Sequence, residues 1–269
     1  RVRYSAQLKE KLEAARKEGL KTIQAVEKEL GEIQNCESGV VVDLFLSYRA
    51  VEAWPEMIEL VKKMAPPLTA TVMVQEQLGL ALNRHGRGDD AERVLKELID
   101  TRGPSSETYG ILGRIYKDRW EAAFKSGQKS LARGLLDKAI DAYLKGFEAD
   151  WRDAYPGINV VTLMEIKEPP DPRRAQIIPV VCYAVERRIA AGKPDYWDYA
   201  TVLELAVLAK DQAKAQDALC NALASVRELW EPKTTARNLR LIREAREMRH
   251  EAEEWPKEIE QELTKRGQK

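Results

Sequence analysis

The chain has 269 residues, of which 44% are hydrophobic and 33% charged, so its composition excludes a disordered polypeptide. Its 44 basic residues balance 44 acidic ones, which argues against a general membrane-binding or nucleic-acid-binding surface. No apolar run approaches the ~20 residues that a bilayer-spanning helix needs, and no signal peptide is recognisable, so we expect a cytoplasmic protein.

Apolar residues recur three and four positions apart along nearly the whole chain, and strand signals are almost absent. The first 36 residues predict a helix pair that breaks at Gly19. Turns rich in Gly, Pro or Asp divide the rest into helices of similar length. The pattern predicts an all-α fold of short antiparallel helix hairpins.

A repeat of 34 residues organises the middle of the chain. Leu44, Leu78 and Leu112 are spaced at this interval, which is the length of a tetratricopeptide repeat. Gly113 and Tyr116 complete the first-helix pattern, so Gly113 is predicted to be a close contact between helices. The spacing predicts a tetratricopeptide-like, right-handed helical solenoid. We expect these residues to be buried between helices: Leu44, Tyr48, Leu78, Leu82, Ala91, Leu112, Tyr116 and Tyr143.

The third repeat carries an insertion at about residues 117–138. Its first helix is predicted to extend through Trp120 and Phe124 and to turn near Ser126 and Gly127. Insertions of this kind often lie on a binding face. We predict one domain over residues 1–269, with a helix pair at 1–36, the best-formed repeats at 37–168, degenerate repeats at 169–230 and C-terminal capping helices at 231–269.

The stretches "VVDLFLSYRAVEAWPEMIELVKKM" and "YGILGRIYKDRW" resemble the TRAF-binding, tetratricopeptide-type central regulatory region of the apoptosis signal-regulating kinases. The resemblance covers about residues 5–250 and implies a regulatory scaffold that binds signalling adaptors. No kinase signature such as HRD or DFG occurs, and no strand-rich segment corresponds to the pleckstrin-like fold of those kinases. These departures suggest a bacterial relative, or a shortened segment, of a multidomain signalling or defence protein.

A polar strip is predicted on the first helices of the repeats. Arg49, Asn83 and Lys117 each follow a repeat leucine by five residues, which places them about 140° from the core-facing stripe. Arg84 and Arg114 lie further round the same side. These cations could meet a carboxylate-bearing or phosphorylated ligand in a concave groove. The alternative is that they pair with acidic residues on the surface.

The C-terminal helix has an arginine at every third position from Arg237 to Arg249. Such a row winds round the helix, and Glu244 and Glu247 lie one turn after Arg240 and Arg243. A solvated helix is the favoured interpretation and a nucleic-acid contact the alternative, so nucleic acid is not the expected partner.

Catalytic and metal-binding patterns are not found. Three cysteines without C-x-x-C spacing and two histidines cannot easily supply four zinc ligands, and no phosphate-loop pattern occurs. We expect no cofactor and no enzymatic activity. Two functions remain open: a scaffold that binds a protein or peptide partner, and a sensor of a nucleotide-like signal that regulates an attached effector domain. In the second, a base would stack on Trp120 beside Arg114 or Lys117.

Overall fold

The structure, a computed structural model, describes residues 2–268, with side chains from residue 6 onward. Every regular element in these residues is a helix. The predicted all-α class is therefore confirmed for this part of the chain. The residues form two compact units, Arg1–Gly103 (unit 1) and Pro104–Lys269 (unit 2).

Unit 1 contains seven α-helices in its described residues, with a 3-10 helix at Ile33–Asn35. The helices are α1 (Val2–Glu18), α2 (Leu20–Leu30), α3 (Ser38–Ala50), α4 (Trp54–Lys63), α5 (Pro66–Thr69), α6 (Val72–Arg84) and α7 (Gly88–Arg102). The break between α1 and α2 lies at Gly19, where a φ of 105° favours glycine over residues with a side chain. The predicted helix pair is confirmed.

Small residues allow the close helix approach in unit 1. A Cβ added at Gly79 of α6 would lie 2.8 Å from Cδ2 of Leu95 on α7. Leu44 and Tyr48 of α3 are fully buried, as expected. Leu78 is only half-buried, contrary to expectation, because α6 turns Gly79 towards Leu95 and leaves Leu78 at the edge of the buried arc.

Unit 2 contains eight α-helices in its described residues. They are α8 (Ser106–Lys125), α9 (Lys129–Ala149), α10 (Ala154–Ile166), α11 (Arg174–Ala190), α12 (Tyr196–Leu208), α13 (Gln212–Ala224), α14 (Trp230–Met248) and α15 (Trp255–Arg266). Helices adjacent in sequence pair into the hairpins α8–α9, α10–α11, α12–α13 and α14–α15. The prediction of burial is also confirmed in both units for Leu82, Ala91, Leu112, Tyr116 and Tyr143.

The α8–α9 hairpin absorbs the predicted insertion. Helix α8 has 20 residues and α9 has 21, against 13 in α6 and 15 in α7. The turn lies where it is predicted, with α8 ending at Lys125 and Gly127 at a φ of 73°. A Cβ at Gly113 would lie 2.7 Å from Cγ of Tyr143. This distance confirms that Gly113 is a packing contact between the two helices.

Helix α14 packs on α10 and α12, the first helices of the two hairpins that precede it. Within unit 2, α10 contacts both α8 and α12, and α14 contacts α10, α12 and α15. Leu239 and Ile242 of α14 are fully buried. The predicted charged capping helix is therefore integrated into the core of unit 2 along one of its sides.

Candidate functional site

The six candidate binding residues are divided between the two units. Arg49 lies in the last turn of α3, and Asn83 and Arg84 end α6, all in unit 1. Arg114, Lys117 and Trp120 lie on α8 in unit 2. The structure brings the last three together on successive turns of one helix.

The unit 1 candidates lie at the surface. Arg49 and Arg84 are exposed, and Asn83 is half-buried. Arg49 makes no ion pair with any residue that the structure describes. Both arginines lie at helix C-termini, where the helix dipole favours positive charge. Arg49 and Arg84 thus lie away from the core, and the role of the three residues in binding stays a prediction.

Lys117 is buried, with 3% of its surface exposed, so the prediction that its side chain lies in an open groove is wrong. Its Nζ donates hydrogen bonds to Oδ1 of Asn159 on α10, at 3.2 Å, and to Oδ1 of Asn238 on α14, at 2.9 Å. The physical reason for the error is that α14 packs over that side of α8.

The hydrogen bonds of Lys117 continue to a buried carboxylate. Asn238 donates from Nδ2 to Oε1 of Glu204 on α12, at 3.0 Å, so one carboxamide bridges the ammonium and the carboxylate. Thr162 of α10 donates to the other oxygen of Glu204 at 3.4 Å. Burial lowers the pKa of Lys117 and raises the pKa of Glu204, because it disfavours the charged form of each. These five residues are called the buried network below.

Arg114 is half-buried and already has an acidic partner. Its Nε donates to Oδ1 of Asp118 at 3.0 Å, one turn further along α8. Burial opposes its charge, but the Asp118 carboxylate together with Tyr143 and Tyr155 outweighs that effect and raises the pKa of Arg114 above its usual value. Arg237 of α14 lies 3.7 Å from the same Asp118 oxygen. For Arg114 the surface-pairing alternative is the one found.

Trp120 is buried, with 4% exposed, and its ring centroid lies 6.1 Å from that of Phe124. The prediction that its ring could stack on a ligand base is wrong. The next residue, Glu121, accepts a hydrogen bond from Nε of Arg237 at 3.1 Å, so α14 reaches this turn of α8 as well. Trp120 follows the buried Leu112 and Tyr116 at four-residue intervals, so it lies on the same buried side of α8.

The C-terminal arginines form internal contacts where a solvated row is expected. Arg243 pairs with Glu247 at 2.5 Å, as the spacing predicts, whereas Arg240 lies 3.7 Å from Glu260 on α15 and not next to Glu244. The other internal partners are Glu121 for Arg237, Glu260 for Arg243, and Glu165 for both Arg246 and Arg249. These five arginines are therefore paired with acidic side chains of the same chain.

Arg246 is the most deeply engaged of these arginines, with 5% of its surface exposed. Its Nε donates to Oε1 of Glu165 at 2.8 Å, and its two terminal nitrogens donate to the carbonyls of Val207 and Leu208, each at 2.9 Å. These carbonyls end α12, where the helix has unsatisfied acceptors and partial negative charge. Arg246 therefore joins α14 to the ends of α10 and α12.

The covered face is the side of α8, α10 and α12 that carries Lys117, Asn159, Thr162, Glu165 and Glu204 and lies against α14. A sequence signal for it exists in α10. Asn159, Thr162 and Glu165 recur at every third residue within the otherwise apolar string "YPGINVVTLMEI". Polar residues in such a helix need buried partners, which Lys117 of α8, Glu204 of α12 and Arg246 of α14 supply.

The described residues contain no group of three or more His, Cys, Asp or Glu side chains placed to hold a metal ion. Within the same residues, none of the helices is long and apolar enough to cross a membrane.

Comparison with known sequences matches the MAP3K TRAFs-binding domain family over residues 3–265. Mitogen-activated protein kinase kinase kinase nsy-1 of Caenorhabditis elegans is 30% identical over 219 residues, which is 74% of this chain and 14% of that protein. Kinase kinase kinase 15 of Mus musculus is 25% identical over 82% of this chain and 17% of its own length. The chain thus spans a small part of the kinases it matches.

Comparison with solved structures finds tetratricopeptide-type neighbours at low sequence identity. TTC0263, a thermophilic TPR protein in Thermus thermophilus, aligns over 76% of this chain and 99% of its own, with a TM-score of 0.56 and 12% identity. An IFIT1 monomeric mutant solved with Gppp-AAAA aligns over 92% of this chain and 55% of its own, with a TM-score of 0.54 and 12% identity. At this identity the likeness shows the fold alone, and it confirms the tetratricopeptide-like prediction.

Proposed function

This chain belongs to the MAP3K TRAFs-binding domain family, and from that premise we propose that it is a non-catalytic regulatory scaffold of a cytoplasmic signalling kinase. The family match over residues 3–265 is the observation that carries the proposal. It confirms the resemblance identified from "LGRIYKD" and its neighbouring stretches. The partner proposed is a TRAF-type adaptor protein, as the name of the family indicates, and chemistry would be performed by other parts of the kinase.

The tetratricopeptide-like hairpins support a role in protein recognition. Such arrays display successive first helices to extended or helical partners. In unit 2 those helices already lie against α14, and the buried network and Arg246 hold it there. A partner could reach the covered face only by displacing α14. We therefore assign the adaptor contact to unit 1.

Arg49, Asn83 and Arg84 are the proposed contact residues. Arg49 is exposed at the end of α3, where its guanidinium can donate two parallel hydrogen bonds to a carboxylate, and Arg84 is exposed at the end of α6. Lys117 and Trp120 are left out because they are buried, and Arg114 because it is paired with Asp118.

No observation favours the nucleotide-sensor alternative. It requires Trp120 as a stacking platform and Arg114 or Lys117 as a phosphate ligand. Trp120 and Lys117 are buried, and Arg114 is paired with Asp118. The Gppp-AAAA in the IFIT1 structure belongs to that protein, which shares only the fold with this chain.

Binding of a purified TRAF adaptor to the immobilised chain tests the proposal. We expect Arg49→Ala to weaken binding by about tenfold or more, because a hydrogen bond to a charged group contributes about 1.5–3 kcal/mol. Arg93→Ala is the matched control, since Arg93 is an exposed arginine of unit 1 on α7. Adaptor binding that is equal in Arg49→Ala, Arg93→Ala and the parent would reject the assigned surface, and absence of adaptor binding by the parent would reject the scaffold role.

A further inference from the structure

The tip of the α8–α9 hairpin, residues 122–134, is an extension with little support from the rest of unit 2. Helix α8 is seven residues longer than α6, and α9 is six residues longer than α7. Within residues 122–134 only Ala123 and Ala132 are buried, and all the others are exposed. The two helices therefore contact mainly each other here, and their outer sides face solvent.

Two large apolar side chains lie exposed on this tip. Phe124, near the end of α8, is 57% exposed, and Leu131, near the start of α9, is 51% exposed. The residues between them form the polar turn Ser126–Gln128, in which the Ser126 hydroxyl donates to the carbonyl of Ala122 at 2.9 Å. These side chains offer an apolar contact on both helices of the projecting hairpin.

The charged side chains of the tip are all basic. Lys125, Lys129 and Arg133 are exposed and make no ion pair with any residue in the described part of the chain. Residues 122–136 contain no Asp or Glu, although the chain as a whole has a formal net charge of zero. The acidic residues on either side form ion pairs elsewhere, Glu121 with Arg237, and Asp137 with Lys167 at 2.7 Å.

We propose that the hairpin tip is a second docking surface, which binds a protein segment that combines apolar side chains with carboxylates. Phe124 and Leu131 supply the apolar contact, while Lys125, Lys129 and Arg133 supply charge complementarity. The surface lies in unit 2 and is distinct from the proposed adaptor contact of Arg49 in unit 1.

An anionic membrane offers the same two chemistries, but the arrangement of the tip favours a protein. A loop that inserts into a bilayer carries its apolar residues at its apex, where they enter the hydrocarbon first. Here the apex is Ser126–Gln128, and the apolar residues are set back along the helices. Burying Phe124 in lipid would carry the polar apex and Lys129 with it. A partner lying against the sides of the hairpin reaches the apolar residues directly.

The test uses the full chain as bait for a display library of random 16-residue peptides, followed by affinity measurement of enriched peptides at physiological salt. We expect enrichment of sequences that combine Asp or Glu with Leu, Ile or Phe. Two variants test the site: Phe124→Ser with Leu131→Ser, and Lys125→Glu with Lys129→Glu and Arg133→Glu. The first should weaken binding about tenfold and the second about thirtyfold, while circular dichroism stays unchanged because the substituted residues are exposed.

The matched control reverses the same number of exposed charges elsewhere in unit 2, as Lys257→Glu, Lys265→Glu and Arg266→Glu. It should bind the peptides with affinity close to that of the parent. Enrichment without acidic residues, or peptides that bind the tip variants and the parent equally, would overturn the proposal. The proposal would also be overturned if no peptide were selected and the chain instead co-sedimented with vesicles containing 30% phosphatidylserine. In that outcome the tip variants would abolish the co-sedimentation. The adaptor test relies on Arg49→Ala and the peptide test on the tip variants. Each proposal can therefore fail without the other.

Discussion

Arg49 of unit 1 and Lys117 of unit 2 follow the repeat leucines Leu44 and Leu112 by the same five residues, yet their environments are opposite. Arg49 is exposed at the end of α3, whereas Lys117 is buried and bonded to Asn159 and Asn238. Equivalent positions in a repeat therefore share a direction on their helix, but not an environment. The environment depends on whether another helix, here α14, covers that direction.

Breaking the buried network at Lys117 should have the largest effect on stability. Lys117→Ala leaves Glu204 buried without its cation, and loss of one partner of a buried pair costs about 3–5 kcal/mol. Chemical denaturation of the parent and the variant measures this free energy of unfolding. Lys117→Met combined with Glu204→Leu should be less destabilised than Lys117→Met alone, because both charges are removed. Additive losses would contradict the coupling.

The covered face can next be tested at its other end by comparing two arginines of α14. Arg246→Ala should cost roughly 2–4 kcal/mol, because it removes bonds to Glu165 and to the carbonyls of Val207 and Leu208. Arg240→Ala is the control, since the Arg240 side chain is 51% exposed, and should cost under about 0.5 kcal/mol. Equal melting temperatures for the two variants would show that Arg246 does not anchor α14.

The pH dependence of two single variants sharpens the comparison, with expected changes of about 1 kcal/mol for each unit of pKa shift. In Glu204→Gln, Lys117 keeps a folded-state pKa below its usual 10.5, so the unfolded chain binds more protons and stability should rise between about pH 7 and pH 9.5. In Lys117→Met, Glu204 keeps a pKa above its usual 4.5. Its contribution to stability is complete below pH 4.5 and should be lost between about pH 5 and pH 8. Urea unfolding at each pH measures both slopes, and slopes of the same sign would be inconsistent with this arrangement.

The smallest effect on stability is expected at Arg49, the exposed counterpart of Lys117. Arg49→Ala should change the free energy of unfolding by less than about 0.5 kcal/mol, because Arg49 is exposed and has no ion pair among the described residues. Thermal unfolding of the variant measures this change. A loss as large as that of Lys117→Ala would mean that Arg49 has a buried role, and its use as a partner contact would be withdrawn.

The sequence predicts the helices well because their determinants are local. The 34-residue spacing of the leucines, the glycine at position 113 and the turn at Gly127 each report contacts or backbone conformations within one or two adjacent helices. The candidate site fails at Lys117 for the opposite reason. Lys117 bonds to Asn238, which lies 121 residues later in the chain, and no local pattern on α8 reports that contact.

The central claim is that α14 covers the first helices of unit 2, and amide hydrogen exchange of residues 232–248 tests it most directly. We predict that these amides exchange as slowly as those of α10 and α12, because α14 opens only when the packing of unit 2 is lost. The protection should fall in Lys117→Ala and Arg246→Ala. Exchange of residues 232–248 within seconds in the parent chain, while α10 and α12 stay protected, would contradict the claim.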